Sequence, residues 1–439
     1  MKTNRRKFIS TAVVGGLAAT TLPLSSCKSK TTATITATTF GINPKYPDYN
    51  ALNEIEKRPV LKRELFPDPV IIESVELLRF ERSFLCRVRS KDGAEGISVA
   101  HSSIYSHYLI FLSFQRMFIG KDARDLDSLI DQVYIQQFRL QGIALGIPVA
   151  TIEFAILDML GRIANKTMSL LIGEIHKPKV EFYLATENRG STAEETLRVW
   201  QPQIEEYKCK EIKLRVGGGH MTNNVDNPPG RTEQLVPLFR KTFGDKMDIS
   251  ADANGSYTVD EAIRIGRLLE QYNIIRYEEP VPYDYYPECK QVADALTVPV
   301  SGGEQDQSFH QLRWMLATDG LDIIEPDIFY FGGMIRSMKI ARIAEACGNK
   351  QCTLHMTGGR LGFLYAFHFT SVLPNGGFRP EFKGFETDVP YECKTGPIKS
   401  EDGAVTVPTG PGVGVEIDPA YIKKHELVLP LVQQVRRGG

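Results

Sequence analysis

The sequence predicts an α/β fold organised around a closed parallel barrel, and three observations carry that prediction. From Glu181 to about residue 390, short apolar runs alternate with helical stretches eight times over. Three of those runs end in an acid, Asp252, Glu278 and Glu304, at equal steps of 26 residues. That step fits one strand, one helix and two short loops. Before Glu181 the order differs: a set of strands precedes a set of helices, which marks a separate α+β segment.

The first 26 residues read as a leader rather than as fold. Arg5 and Arg6 form a twin-arginine pattern, an apolar stretch runs from Phe8 to Leu24, and Leu24-Ser-Ser-Cys27 closes it. This order resembles a bacterial twin-arginine export signal fused to a lipoprotein cleavage box. The expectation is a periplasmic protein that begins at Cys27 and is held to the membrane by lipid there. Lys28 to Thr39 is a polar tether, and residues 40–69, rich in Pro and charge, read as an extended arm. With 52 basic and 53 acidic side chains, nothing points to nucleic acid. No run of 18 apolar residues predicts a membrane span.

A meander follows: Val70–Phe80, a tight turn, Ser83–Ser90, turn chemistry in Lys91-Asp-Gly-Ala-Glu-Gly96, then Ile97–Ala100. Helical patterning dominates from about Ser106 to Leu171, broken at 118–122. Glu153 and Asp158 in the apolar helix 150–160 read as capping or packing acids rather than ligands. The barrel strands are expected at Glu181–Ala185, Glu211–Val216, Met247–Asp252, Ile274–Glu278, Val298–Ser301, Ile323–Asp327, Gln351–His355 and Phe378–Glu381. Helices such as Val259–Gln271 and Gly333–Cys347 separate them. Gly403–Val415 reads as a turn-rich hairpin that returns to the meander. Six cysteines besides Cys27 are scattered without a CxxC pair, which argues against zinc and leaves disulfides open.

Acids at the same end of consecutive parallel strands converge on one point and would repel one another. A hard divalent cation resolves this, and an all-oxygen shell favours Mg²⁺. Three later strand ends carry further chemistry: Asp327, His355 and Glu381. An acid one strand before a histidine can hold its Nδ1 and orient it as a base. Glu381, if protonated, can donate a hydrogen bond to a developing oxyanion. Lys213 and Arg215 alternate with apolar Ile212, Leu214 and Val216 and are expected to face inward. Asn254, two residues past Asp252, and His220, in the long loop 217–230, are candidate substrate contacts.

In this set the chain resembles the enolase superfamily, and within it the mandelate racemase-like subgroup. The resemblance implies an α+β capping domain over 70–175, a modified TIM barrel of (β/α)7β type over 180–390, and a segment 391–439 that closes the cap. It implies Asp252, Glu278 and Glu304 as Mg²⁺ ligands and Asp327 with His355 as a dyad. It further implies Glu381 as the enolate-side acid and Lys213 as the group polarising a substrate carboxylate. Glu279 matches no family ligand. Arg215 is a departure, because racemising members carry a second lysine there, and arginine is a poor base. One base favours elimination over racemisation. The expected activity is therefore a Mg²⁺-dependent acid-sugar dehydratase or lyase, in which loss of the β-hydroxyl gives a 2-keto-3-deoxy acid. The short turn at 79–82 suggests an open site unless the arm covers it, which leaves room for a uronate-containing glycan fragment. The partners expected are that small molecule and further copies of the chain. Two other readings stand beside this one: an epimerase, racemase or cycloisomerase, and a carbohydrate-binding lipoprotein without turnover.

Overall fold

The computed structural model describes residues 41–220, 226–356, 361–377 and 379–429. The twin arginine, Cys27 and the tether to Thr39 lie outside the described residues.

The arm is not extended throughout. Helix α1 (Tyr49–Glu56) forms within it, capped by Asp48, whose Oδ1 accepts from Ala51 N at 2.9 Å. The helix buries only Leu52, and eight residues are too short a run for a helical period to stand out in the sequence. The arm lies along the amino ends of the barrel strands. Asn43 N donates to Ala317 O at 2.8 Å, and Tyr46 Oη donates to Asp319 Oδ1 at 2.7 Å, just before the strand at 323. It therefore does not cover the acid-bearing end.

Strands β1 (Ile72–Phe80), β2 (Ser83–Ser90) and β3 (Glu95–Val99) form an antiparallel meander. The first turn is only Glu81-Arg82, with Glu81 at φ 52°. Helices α2 (Ile104–Phe118), α3 (Leu126–Gln136), α4 (Ile143–Ala164) and α5 (Met168–Ile172) follow. Helix α4 is apolar all round because it is buried on nearly every side. Gly96 of β3 lies flush on it, and a side chain there would strike Ala155 O. The two acids of α4 are structural. Asp158 accepts from Ile97 N and Val413 N, both at 2.9 Å. Glu153 accepts from Met334 N and from Ile335 N at 3.3 Å, beside Gly333 at φ 112°.

The expected first barrel strand divides in two. β4 (Lys179–Glu181) pairs away from the barrel, and β5 (Leu184–Ala185) begins it. β6 (Glu211–Arg215), β7 (Asp248–Asp252), β8 (Tyr277–Glu278), β9 (Val300–Gly302), β10 (Ile323–Ile324) and β11 (Gln351–Cys352) continue a parallel sheet in chain order. Segment 380–382 takes the eighth place. Glu381 N donates to Leu354 O at 2.9 Å, Tyr183 N to Pro380 O at 3.1 Å, and Phe382 N to Tyr183 O at 3.0 Å. Between strands run α6 (Ala193–Tyr207), α7 (Arg231–Phe243), α8 (Val259–Gln271), α9 (Tyr286–Ala295), α10 (Phe309–Ala317), α11 (Met334–Ala346) and α12 (Gly362–Ser371). Helix α8 shows the pattern: Ala262, Ile265 and Leu269 face the sheet, and Asp260 and Glu261 occupy its positive first turn.

The tail does not fold as a hairpin on itself. β12 (Tyr391–Glu392) pairs with β14 (Glu416–Ile417), and β13 (Ala404–Thr406) pairs with β4. The return to the meander comes later, where β15 (Glu426–Leu427) adds to β1. All six described cysteines are free thiols, and five are buried.

His368 of α12 ties these parts together. Its Nε2 donates to Val413 O at 2.9 Å, and its Nδ1 accepts from Ser169 Oγ at 2.8 Å. Burial pulls its pKa down to about 4. The folded pKa lies below the unfolded value near 6.5, so this stabilisation is full above that pH and lost as pH falls toward 4. The loss amounts to about 3 kcal/mol. Urea midpoints should fall over that window in the wild type, and the fall should be reduced in His368→Gln.

Candidate active site

Parallel register sets the acids level. Arg215 pairs with Asp252, Asp252 with Glu278, and Glu278 with Ser301 of β9, after which Gly303 at φ 109° turns the chain to Glu304. One ligand atom from each of Asp252, Glu278 and Glu304 lies within 4.8 Å of the others, and all three residues are buried. Their inward aim follows from alternation, since Ile249, Ala251 and Tyr277 fill the outer side.

Two cations sit under this cradle. Lys213 Nζ is 2.7 Å from Glu278 Oε2, 3.4 Å from Asp252 Oδ2 and 3.6 Å from Glu381 Oε2. Arg215 Nη1 binds Asp252 Oδ2 and donates to Asn254 Oδ1 at 2.6 Å. Burial works against the charge on Asp252, but Arg215, Lys213 and Arg189 outweigh it and hold its pKa at about 2. Glu278 goes the other way: burial, Asp252 and Glu325 push it well above the carboxylate range, and Lys213 offsets only part. Its Oε1 is buried and receives no hydrogen bond from the described residues. A buried carboxylate oxygen without a donor, within reach of two more carboxylates, fits a hard cation.

His355 and Asp327 are bridge partners on adjacent strand ends. His355 Nδ1 lies 3.1 Å from Asp327 Oδ2, and Asp327 Oδ1 accepts from Phe329 N at 2.8 Å and Tyr330 N at 3.1 Å. Asp327 is thereby fixed, the proton stays on Nδ1, and Nε2 is turned into the cleft. Burial lowers the His355 pKa, but Glu304, Glu381 and Asp327 outweigh it and raise it.

Glu381 would donate only if protonated, and Lys213, Lys383, His355 and Arg215 surround it. Burial favours protonation, but these four cations hold its pKa well below the usual range. As an ionised carboxylate Glu381 accepts hydrogen bonds and cannot donate one. Asn254 is buried at the same end of the barrel, with Oδ1 shared by Arg215 and Arg189, both at 2.6 Å. His220 is exposed at the last described residue before 221. Its neighbour Gly219 donates from N to Ser256 Oγ at 3.3 Å, and partial burial, Arg189 and Arg215 lower the His220 pKa.

Three residues of the site escaped the sequence reading. Arg189, after β5, donates to Val216 O at 3.1 Å and Asp252 O at 3.2 Å, lacing three strand ends together. Lys383 lies 2.7 Å from Glu381 Oε1 and 2.9 Å from Glu187 Oε1. Alternation past Glu381 could have flagged it, whereas nothing in the sequence marks Arg189. Tyr330 brings its ring 6.3 Å from that of His355 and 5.5 Å from His101, which follows β3. Glu279, at φ 40°, is buried beside Asn254 and outside the three-acid cluster.

Residues 195–421 match the family model described as enolase C-terminal domain-like. The chain is 24% identical over 313 residues to arabinonate dehydratase of Saccharolobus solfataricus, covering 71% of this chain and 80% of that protein. It is 25% identical over 322 residues to D-xylonate dehydratase of Haloferax volcanii, covering 70% and 76%. Among solved structures, a mandelate racemase/muconate lactonizing protein from Paracoccus denitrificans, complexed with magnesium, superposes with a TM-score of 0.73 at 24% identity, covering 82% of this chain and 98% of that one. With the family match spanning half of the chain and the fold shared over most of it, this protein belongs to the enolase superfamily, in its enolase C-terminal domain-like family.

Proposed function

We propose that this protein is a carbon–oxygen lyase that dehydrates a sugar acid with Mg²⁺ held by Asp252, Glu278 and Glu304. The observation that carries the reading is the asymmetry about Glu381. His355 Nε2 approaches one of its oxygens at 3.5 Å, and Arg215 Nη2 approaches the other at 3.9 Å. Burial alone would lower the Arg215 pKa, but Asp252, Glu381 and Glu304 push it up further, so it holds its proton. One side of the cleft therefore offers a base and the other a fixed cation. The curated relatives named above are sugar-acid dehydratases, which supports the same reading.

Held by Asp252, Glu278 and Glu304, Mg²⁺ would supply charge stabilisation to a substrate carboxylate. The chain's residues do the rest. Lys213 and Arg215 hold positive charge beside that carboxylate, and His355 Nε2 takes the α-proton. The same imidazolium can return the proton to the departing β-hydroxyl, which leaves as water. The 2-keto-3-deoxy acid product follows from tautomerisation. A library of aldonates and uronates, read by a 2-keto acid assay, tests the proposal. Product of unchanged mass with an inverted α-carbon would replace it by epimerisation. Asp252→Asn should lower Mg²⁺ affinity by at least about tenfold in calorimetry while leaving the circular dichroism spectrum unchanged. Wild-type affinity in that variant would remove Asp252 from the ligand set.

We further propose that the enzyme is exported and lipidated at Cys27, a reading that rests on Arg5, Arg6 and the Leu24-Ser-Ser-Cys27 box. Cys27→Ser should move the protein from the membrane to the soluble fraction. Failure of the wild type to take up labelled fatty acid would refute it.

A further inference from the structure

Charge that builds on a substrate carboxylate oxygen as the α-proton leaves needs a hydrogen-bond donor placed beside it. Glu381, in the position from which such a donor was expected, is an acceptor surrounded by cations. The donor comes from among those cations, and two of the four, Lys213 and His355, are committed. Lys213 is fully buried and faces three carboxylates with its three N–H groups. Arg215 spends Nη1 on Asp252 and Asn254, and its Nη2 stands 3.9 Å from Glu381 Oε1. His355 is tied to Asp327 and serves as the base.

Lys383 differs from these. It lies two residues past Glu381, so alternation turns both side chains to the same side of the strand end. Its Nζ has two carboxylate partners, Glu381 Oε1 at 2.7 Å and Glu187 Oε1 at 2.9 Å, which leaves a third N–H. Its side chain keeps 29% of its surface exposed, whereas that of Lys213 keeps none. Glu187 is more exposed still, at 57%, and a pair so open to water costs little to exchange for a substrate oxygen.

We propose that Lys383 is a catalytic residue: its ammonium donates the hydrogen bond to the substrate carboxylate oxygen on which charge develops. The inference rests on the dehydratase reading and deepens it. In the step concerned, the α C–H bond breaks and its proton passes to His355 Nε2. Its electron pair becomes the double bond to the carboxylate carbon, and the displaced π pair settles on oxygen. Lys383 keeps all its protons and contributes only the hydrogen bond. The loop after the last barrel position thus does work that the strand acid cannot do while ionised.

The test uses the full-length enzyme with whichever acid sugar the wild type dehydrates. Lys383→Met should lower kcat by about 10²- to 10³-fold with KM within about threefold. Lys383→Arg should recover all but about tenfold, because it restores a cationic donor. Binding supplies a second readout. The hydroxamate of the same sugar acid, which mimics the charged enolised form, should bind Lys383→Met at least about 30-fold more weakly than it binds wild type, while the parent acid loses less than about threefold. If Lys383→Met does not fold, Lys383→Gln, with a neutral donor, should still lose at least about tenfold in kcat. An unchanged kcat, a loss lying wholly in KM, or equal weakening of hydroxamate and parent acid would overturn the role. A wild type inert toward every acid sugar would overturn the dehydratase reading and the Lys383 role with it. An active wild type matched by Lys383→Met would overturn only the latter.

Discussion

Replacing His355 with Asn is expected to abolish exchange of the substrate α-proton and formation of the keto acid together, each by at least about 10³-fold. The expectation follows from the state of the two other candidate bases, Lys213 and Arg215. Burial lowers the Lys213 pKa, but Glu278 and Glu381 outweigh it and raise it well above the ordinary value. Arg215 is held protonated in the same way, by Asp252 above all. In D₂O the wild type should therefore place deuterium in one configuration, and only one α-epimer of the sugar acid should react. Arg215→Lys should open slow exchange of the other epimer while weakening elimination, since the ammonium loses the two-point contact with Asp252 and Asn254. Comparable wild-type rates with both epimers would mean a second base, and the epimerase reading would take over.

Lys213→Met is expected to cost the metal-free protein about 3–5 kcal/mol. The side chain is fully buried, and its removal leaves Asp252, Glu278 and Glu381 facing one another without it. Methionine fills the volume, so the loss measures charge and not a cavity. The same change should make stability depend more steeply on divalent cation, because the ion becomes the main neutraliser of the two ligand acids that Lys213 touched. Thermal melts in chelator and in Mg²⁺ check both halves. The variant should melt well below wild type in chelator, and Mg²⁺ should raise its melting temperature by more. Equal melting temperatures in chelator would show that the lysine is not what holds the acids together.

Much of this arrangement was legible in the sequence because a barrel strand ends where its inward residue becomes functional. The runs ending in Asp252, Glu278 and Glu304 are apolar on the outer face and acidic at the tip, and parallel pairing leaves them no choice but to meet. Helix α8 was readable to the residue because its apolar positions follow the helical period. Contacts set by long-range closure were not legible. β13 and β4 pair over only three residues, with no local signature to announce a partner so far along the chain. Helix α1 is too short for a helical period to stand out. Arg189 acts through backbone carbonyls, which any sequence could offer. The ionisation of Glu381 depends on four cations, of which only Lys383 lies on its own segment and the others come from β6 and the segment just after β11, so its protonation could not be judged from the strand that carries it.

Glu153 sets a limit on how this molecule can be taken apart. The carboxylate belongs to α4, before the barrel begins, yet it supplies the acceptors for the first amides of α11. The loop that enters α11 is the one that fixes Asp327 through Phe329 N and Tyr330 N. Excising residues 180–390 as a module would leave that helix start unsatisfied and the partner of His355 resting on a frayed turn. Grafting a cap from another protein would meet the same requirement. The donor helix must bring an acid to this point, at a spot where Gly333 leaves room for nothing larger than hydrogen. Chimeras that preserve the pair should unfold in one transition, and those that lose it in two.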